Sequence, residues 1–287
     1  MTDSLLYAPT TAEELRYALI VSRLRRDVDD STKVEGIYDM FHRLTAIAPN
    51  EMSVWSTKVA YLQASKAPAD SLIFALENLR RIKPDNRIAL TSLLQCYAER
   101  EDYASMASLC DDGIVHFPDE CMFYYYSGMA YYNKDDKATA LQLFTAAVRQ
   151  IGEDTEPELA ARMYAAQGDL LYAAGRKAEA YAAFDSCLVY NPDDVNCLNN
   201  YAYYLSLADS ALAKAEKMSF RTLRLAPGER TYIDTYAWIL FKQGDYGEAR
   251  RYIDQVMEGI ATADDMKKLD ISAEVAEHAG DICACQD

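Results

Sequence analysis

The chain has 287 residues, 51% hydrophobic and 26% charged, a balance that excludes a disordered chain and predicts a packed core. Its 29 Lys and Arg stand against 45 Asp and Glu, a net charge of −16, which argues against nucleic acid and anionic membrane surfaces as partners. Gly (11) and Pro (8) are scarce while Tyr reaches 22, so helix is favoured over sheet.

The first twenty residues have no basic stretch, and Pro9 interrupts their short apolar run; they do not read as a signal peptide. No apolar run is long enough to span a membrane, so no direct membrane insertion is expected. Residues 13–48 read as a degenerate helix pair. Leu15, Leu19 and Leu24 form one apolar stripe, Ile37, Phe41 and Leu44 another, and Asp30 or Ser31 can cap the second helix.

From there prolines keep a period. Pro49, Pro84, Pro118, Pro192 and Pro227 are separated by 35, 34, 74 and 35 residues. The long step is two periods plus an insertion, Gly152 to Pro157. Each proline follows an apolar helical stretch, where it ends one helix and resets the chain for the next. Between prolines lie two amphipathic helices with a short break at residues 134–136, 174–176 or 243–245. Small residues recur early in the first helix (Gly128, Gly168, Ala202, Ala237) and early in the second (Ala140, Ala180, Ala215, Ala249). Two helices cross closely only where side chains are small, so these positions are predicted to be buried crossings. Breaks are predicted near 28–32, 66–68, 101–103, 135–137, 175–177, 209–211 and 244–246.

The period, the helix-turn-helix unit and two full runs, Tyr124-Gly128-Tyr131-Ala140-Phe144-Ala147 and Tyr164-Gly168-Leu171-Gly175-Ala180-Phe184-Pro192, resemble the tetratricopeptide repeat family. Val59 and Leu94 stand where that pattern has Gly, and Met106 where it has Ala. The resemblance implies an all-α, right-handed superhelical solenoid of antiparallel helix pairs, a single array over 1–287. Its units are the degenerate 13–48, then 52–84, 87–118, 121–151, 161–192, 195–227 and 230–260, with a half repeat at 271–287. The C-terminal third, with LNNYAYYLS (198–206), TYIDTYAWILF (231–241) and EHAGDI (277–282), resembles tetratricopeptide proteins of Gram-negative cell envelopes. That implies a periplasmic or outer-membrane-associated location for a processed or truncated form, with the cytoplasm as the alternative. EHAGDI aligns with AAQGDL (165–170), and a partner second helix is missing, so the chain reads as stopping mid-repeat. Val275, Ala279 and Ile282 are expected to pack on residues 246–259 and leave a face open to self-association.

Chemistry is sparse. The seven cysteines are Cys96, Cys110, Cys121, Cys187, Cys197, Cys283 and Cys285; their odd number fits no disulfide framework, and most read as small core residues. His42, His116 and His278 form no zinc motif, and Cys110, His116 and Cys121 read as packing near a turn. No phosphate-binding glycine loop or nucleophile elbow is present. Acidic pairs such as Asp193/Asp194 read as helix caps. No enzyme, no cofactor and no metal are expected.

The tyrosines are the unusual feature. In the family the first helix of each unit lines a concave groove. Carried onto this chain, that phase implies Tyr125, Met129, Tyr132 and Asn133, then Asp169 and Tyr172, then Asn196, Asn199 and Tyr203, then Asp234, Trp238 and Phe241. Earlier units contribute Ser53, Ser56, Gln63, Thr91, Gln95 and Glu99. Aromatics interleaved with Asn and Asp suit a binding surface. The resulting reading is a protein-protein or peptide-binding scaffold whose partner is neutral or basic rather than acidic. A structural spacer lipoprotein of the envelope is the alternative, and an enzyme accessory module the remaining one.

Overall fold

A computed structural model describes residues 2–28, 30–208, 211–258 and 273–284. Among them there is helix and no strand. The chain divides into two compact units, Met1–Leu143 and Phe144–Asp287.

In the first unit a short α1 (Thr2–Leu6) precedes α2 (Glu13–Asp27), a 3-10 turn (Ser31–Lys33) and α3 (Val34–Ile47). Next come the pairs α4 (Met52–Ala64) with α5 (Ala69–Ile82) and α6 (Arg87–Glu99) with α7 (Tyr103–His116), then α8 (Cys121–Asn133) and the start of α9 (Lys137–Arg149). The second unit continues with α10 (Pro157–Ala173) and α11 (Lys177–Tyr190), α12 (Val195–Leu207) and α13 (Leu212–Leu225), α14 (Arg230–Gln243) and α15 (Tyr246–Met257), and α16 (Ala273–Ala284).

The punctuation is chemical. All five periodic prolines sit two residues beyond a helix end, after Ile47, Ile82, His116, Tyr190 and Leu225. The acidic or amide residue that follows starts the next helix. Asn86 Oδ1 accepts from the Ala89 amide, and Asp194 Oδ1 from the Cys197 amide at 2.9 Å, satisfying donors that a helix N-terminus leaves open. Asp102, Asp136 and Asp245 do the same for the second helices. Pro157 differs: it opens α10 at its first turn, where a missing amide costs nothing. The breaks within pairs share a left-handed residue: Lys66, Glu101, Asp135, Gly175, Ala211 and Gly244 all have positive φ. Only Gly adopts that conformation without a steric penalty, and AGR and QGD supply it at two of the six.

The core lies along the helix crossings. Phe41, Val54, Leu62, Leu76, Leu90 and Phe123 are buried in the first unit. Val59, Leu94 and Met106 are buried too, so the larger residues keep their inward phase. Trp55 Nε1 donates to the Pro49 carbonyl and Tyr124 OH to the Pro118 carbonyl, at 2.8 and 3.0 Å. The same offset of six residues ties each ring to its proline turn. In the second unit Gly168, Ala180, Ala202, Ala215, Ala237 and Ala249 are buried as their spacing predicts. Ala279 and Ile282 of α16 pack with Ala249, Ile253 and Val256; the side chain of Val275 lies outside the described residues. A Cβ on Gly168 would fall 2.6 Å from the Phe184 ring, whereas one on Gly280 of α16 would meet nothing within 4 Å.

One anchor was not legible in the sequence. Arg16 of α2 is fully buried. Its Nε donates to Glu51 at 2.8 Å, Nη1 to the Leu6 carbonyl at 2.7 Å, and Nη2 to the Ala8 and Thr11 carbonyls at 3.2 Å. One guanidinium thereby holds the N-terminal segment against the start of α4. An ammonium cannot reproduce this fork. Arg16→Lys is expected to cost about 2 kcal/mol by leaving buried carbonyls unpaired, read as a lower urea midpoint. An unchanged midpoint would rule out the anchoring role.

Candidate functional site

The first helices of the second unit are joined side by side through polar and aromatic contacts. Between α10 and α12 the junction is Asp169. Its Oδ1 and Oδ2 accept from Asn200 Nδ2 at 3.2 and 3.3 Å, and Tyr204 OH donates to Oδ1 at 3.3 Å. Directly above, Tyr172 stacks on Tyr204 with ring centres 3.8 Å apart and planes within 15°. Burial pushes the Asp169 carboxyl up to about 6 against the pull of its Asn200 and Tyr204 donors, and the charge of Asp194 adds to the rise. Between α12 and α14, Tyr232 OH donates to Asn196 Oδ1 at 2.9 Å. Between α14 and α16, His278 Nδ1 and Asp234 Oδ2 lie 2.9 Å apart, both groups buried. Trp238 stacks on the His278 ring at 4.1 Å and on Phe241 at 5.2 Å, and Tyr203 lies 5.8 Å from His278.

Six residues of the sequence-derived groove set in this unit, Asp169, Tyr172, Asn196, Tyr203, Trp238 and Phe241, are partly open along α10, α12 and α14. Asn199 and Asp234 are not: they are 6% and 4% exposed. Asn199 turns inward at the α12 crossing, where its Oδ1 has no hydrogen-bond partner. Asp234 is covered by α16 through His278. The pair is separated by 44 residues, and no local pattern announces it. The Trp238 indole N–H also lacks a hydrogen-bond partner.

In the first unit, Tyr132 is 46% exposed and Asn133 is exposed, its Nδ2 donating back to the Met129 carbonyl at 2.9 Å. Met129 is half-buried against the core. Tyr125 differs from its expected exposure: it is 8% exposed and packs edge-on against Tyr126. A groove of about 580 Å³ lies between α6 and α8, lined by Thr91, Gln95, Glu99, Met122 and Tyr126 among others. Thr91, Gln95 and Glu99 are three of the six positions that the repeat phase assigns to the early groove; Ser53, Ser56 and Gln63 do not line it.

Cys96, Cys110, Cys121, Cys187 and Cys197 are buried as small apolar residues; Cys285 lies outside the described residues. Cys110 is fully buried, and its thiol is pushed up to about 12 by that burial. Cys197 is raised by its contact with Cys187 and by burial. Among the described residues no group of three or more His, Cys, Asp or Glu is placed to hold a metal ion, and no helix is long and apolar enough to cross a membrane.

No protein-family model and no curated protein matches the chain. Solved structures do match in shape. PilW, described as a widely conserved type IV pilus biogenesis factor, aligns over 79% of this chain and 97% of its own at 14% identity and a TM-score of 0.58. YrrB, described as a tetratricopeptide protein with an unusual peptide-binding site, aligns over 72% and 98% at 14% identity and a TM-score of 0.55. PilF of Pseudomonas aeruginosa aligns over 68% and 88% at 18% identity and a TM-score of 0.51. Helix pairs timed by proline, small residues seated at their crossings and these likenesses together identify the fold as that of the tetratricopeptide repeat proteins.

Proposed function

We propose that the chain is a non-catalytic scaffold that binds a segment of another protein on the first-helix face of its second unit. The observation that carries this reading is the run of half-buried aromatics, Tyr172, Tyr203, Trp238 and Phe241, set beside the acceptors of Asp169 and Asn196 on successive first helices. Rigid rings supply apolar contact at low entropic cost, and the polar groups between them orient a backbone. Asp169 and the net charge of −16 favour a neutral or basic segment. YrrB, whose description names a peptide-binding site, shares the fold that this mode of binding uses.

The test is selection of peptide ligands from a random displayed library on the full chain, followed by calorimetry. Tyr203→Ala is expected to weaken the selected peptides by roughly 2 kcal/mol, about thirtyfold in Kd. Tyr17→Ala, at an exposed tyrosine of α2, should leave them unchanged. Peptides indifferent to Tyr203, with the melting temperature unchanged, would overturn the reading.

The likeness of residues 198–282 to envelope tetratricopeptide proteins extends the proposal to place: the bacterial cell envelope. PilW and PilF, which share the fold, are consistent with it. Cell fractionation of the native protein tests this directly, and recovery in the soluble cytosol would refute it.

A further inference from the structure

A second surface lies on a different kind of element, the second helix of a pair. On α13, Lys214, Lys217, Arg221 and Arg224 recur at intervals of three, four and three residues, which places them in one row along the helix. The row spans about 15 Å. The opposite side of α13 is inward, with Ala215, Met218, Ser219 and Thr222 buried.

Half of this row is neutralised locally. Lys214 pairs with Asp185 at 3.1 Å and Arg221 with Asp193 at 2.6 Å. Lys217 and Arg224 are exposed and have no ion-pair partner among the described residues. They border a groove of about 540 Å³ that the paired Arg221 and Asp193 also line and that is flanked by Phe220 and Leu225, 46% and 43% exposed. Two unmatched cations thus stand beside two exposed apolar side chains on a protein of net charge −16.

We propose that this groove docks a short acidic segment of another protein, one that carries an apolar side chain between its carboxylates. Carboxylates would pair with Lys217 and Arg224, and the apolar side chain would cover Phe220 and Leu225. Charge complementarity selects the sign of the partner, and the length of the row selects its size. A bilayer or a long polyanion would extend far beyond 15 Å over a protein whose net charge of −16 repels it. A peptide of a few residues is no longer than the row. This surface is separate from the first-helix face, so it stands or falls independently of the function proposed above.

The experiment uses the full chain and a fluorescein-labelled peptide of repeated Asp-Glu-Phe-Glu units, read by anisotropy. Binding is expected at about 0.05 M salt and is expected to fade by about 0.3 M, as the screening length drops from roughly 14 to roughly 6 Å. Lys217→Glu with Arg224→Glu should weaken it at least about tenfold. Lys33→Glu with Lys66→Glu changes the net charge equally at two exposed lysines elsewhere and should leave binding intact. Should the charge reversals disturb the melt, Lys217→Ala with Arg224→Ala gives the same comparison. Absence of peptide binding, an equal loss in both double variants, or tighter stripe-dependent binding of phosphatidylserine vesicles or an oligonucleotide than of the peptide would each overturn the proposal.

Discussion

Gly168→Leu is expected to destabilise the second unit by about 3 kcal/mol or more, at the upper end of what overpacking costs. Leucine is the better helix former by nearly 1 kcal/mol, so the sign of the result distinguishes propensity from packing. Packing wins on geometry. A Cβ alone would sit 2.6, 2.8 and 2.9 Å from three atoms of the Phe184 ring. Phe184 is fully buried and lies 5.3 Å from Tyr201 and 5.8 Å from Tyr204, ring to ring. The ring therefore has nowhere to swing, and α10 and α11 must separate. The measurement is a thermal melt, where this loss corresponds to a drop of roughly 10 °C for a unit of this size. Phe184→Ala in the same chain should recover part of the loss caused by leucine, because the two side chains compete for one volume. Additive effects of the two substitutions would show that the crossing is not the cause.

Asp169→Asn is expected to stabilise the protein at neutral pH and to flatten its response to acid. Burial raises the Asp169 carboxyl to about 6 from an ordinary 3.8, with the Asn200 and Tyr204 donors pulling the other way and Asp194 pushing with burial. A carboxyl raised on folding binds more protons in the native state than in the unfolded one between those two values. Stability from this group is therefore lost as pH rises from about 4 to about 6, and the full cost is present at pH 7 and above. The shift corresponds to about 3 kcal/mol; partial exposure of the side chain reduces this to about 2 kcal/mol. Asparagine matches the shape, keeps an oxygen to accept from Asn200 and carries no charge. Urea unfolding between pH 4 and pH 8 is the check. A variant less stable than the parent at pH 7.5 would mean that ionised Asp169 earns more from its two donors than burial takes away. The same group, charged at neutral pH and facing the proposed binding surface, is the natural acceptor for a donor on a ligand.

The fold class and the timing of the helices are legible in the sequence. The prolines, the residues capping helices after them and the small residues at crossings are local chemistry with a fixed spacing. Each acts within a few residues, as Pro84 and Asn86 show between α5 and α6, so a linear reading finds them. Gly168 under Phe184 was legible for the same reason: both belong to one repeat unit. Of the groove positions carried over from the repeat phase, Asp169, Tyr172, Asn196, Tyr203, Trp238 and Phe241 are at least partly open, and Tyr125, Asn199 and Asp234 are buried.

Those three were settled by folding, because burial depends on what packs across from a helix. Asp234 is covered by His278 from 44 residues away. Arg16 was invisible for a related reason. Its four acceptors include three backbone carbonyls in an irregular segment, and carbonyls carry no signature of residue type. The cationic row on α13 is present in the sequence at helical spacing. Its two unmatched members emerge only when Asp185 and Asp193 arrive from neighbouring elements to pair with the other two. Periodic, short-range constraints are written along the chain, whereas burial and charge pairing are properties of surfaces that meet only after folding.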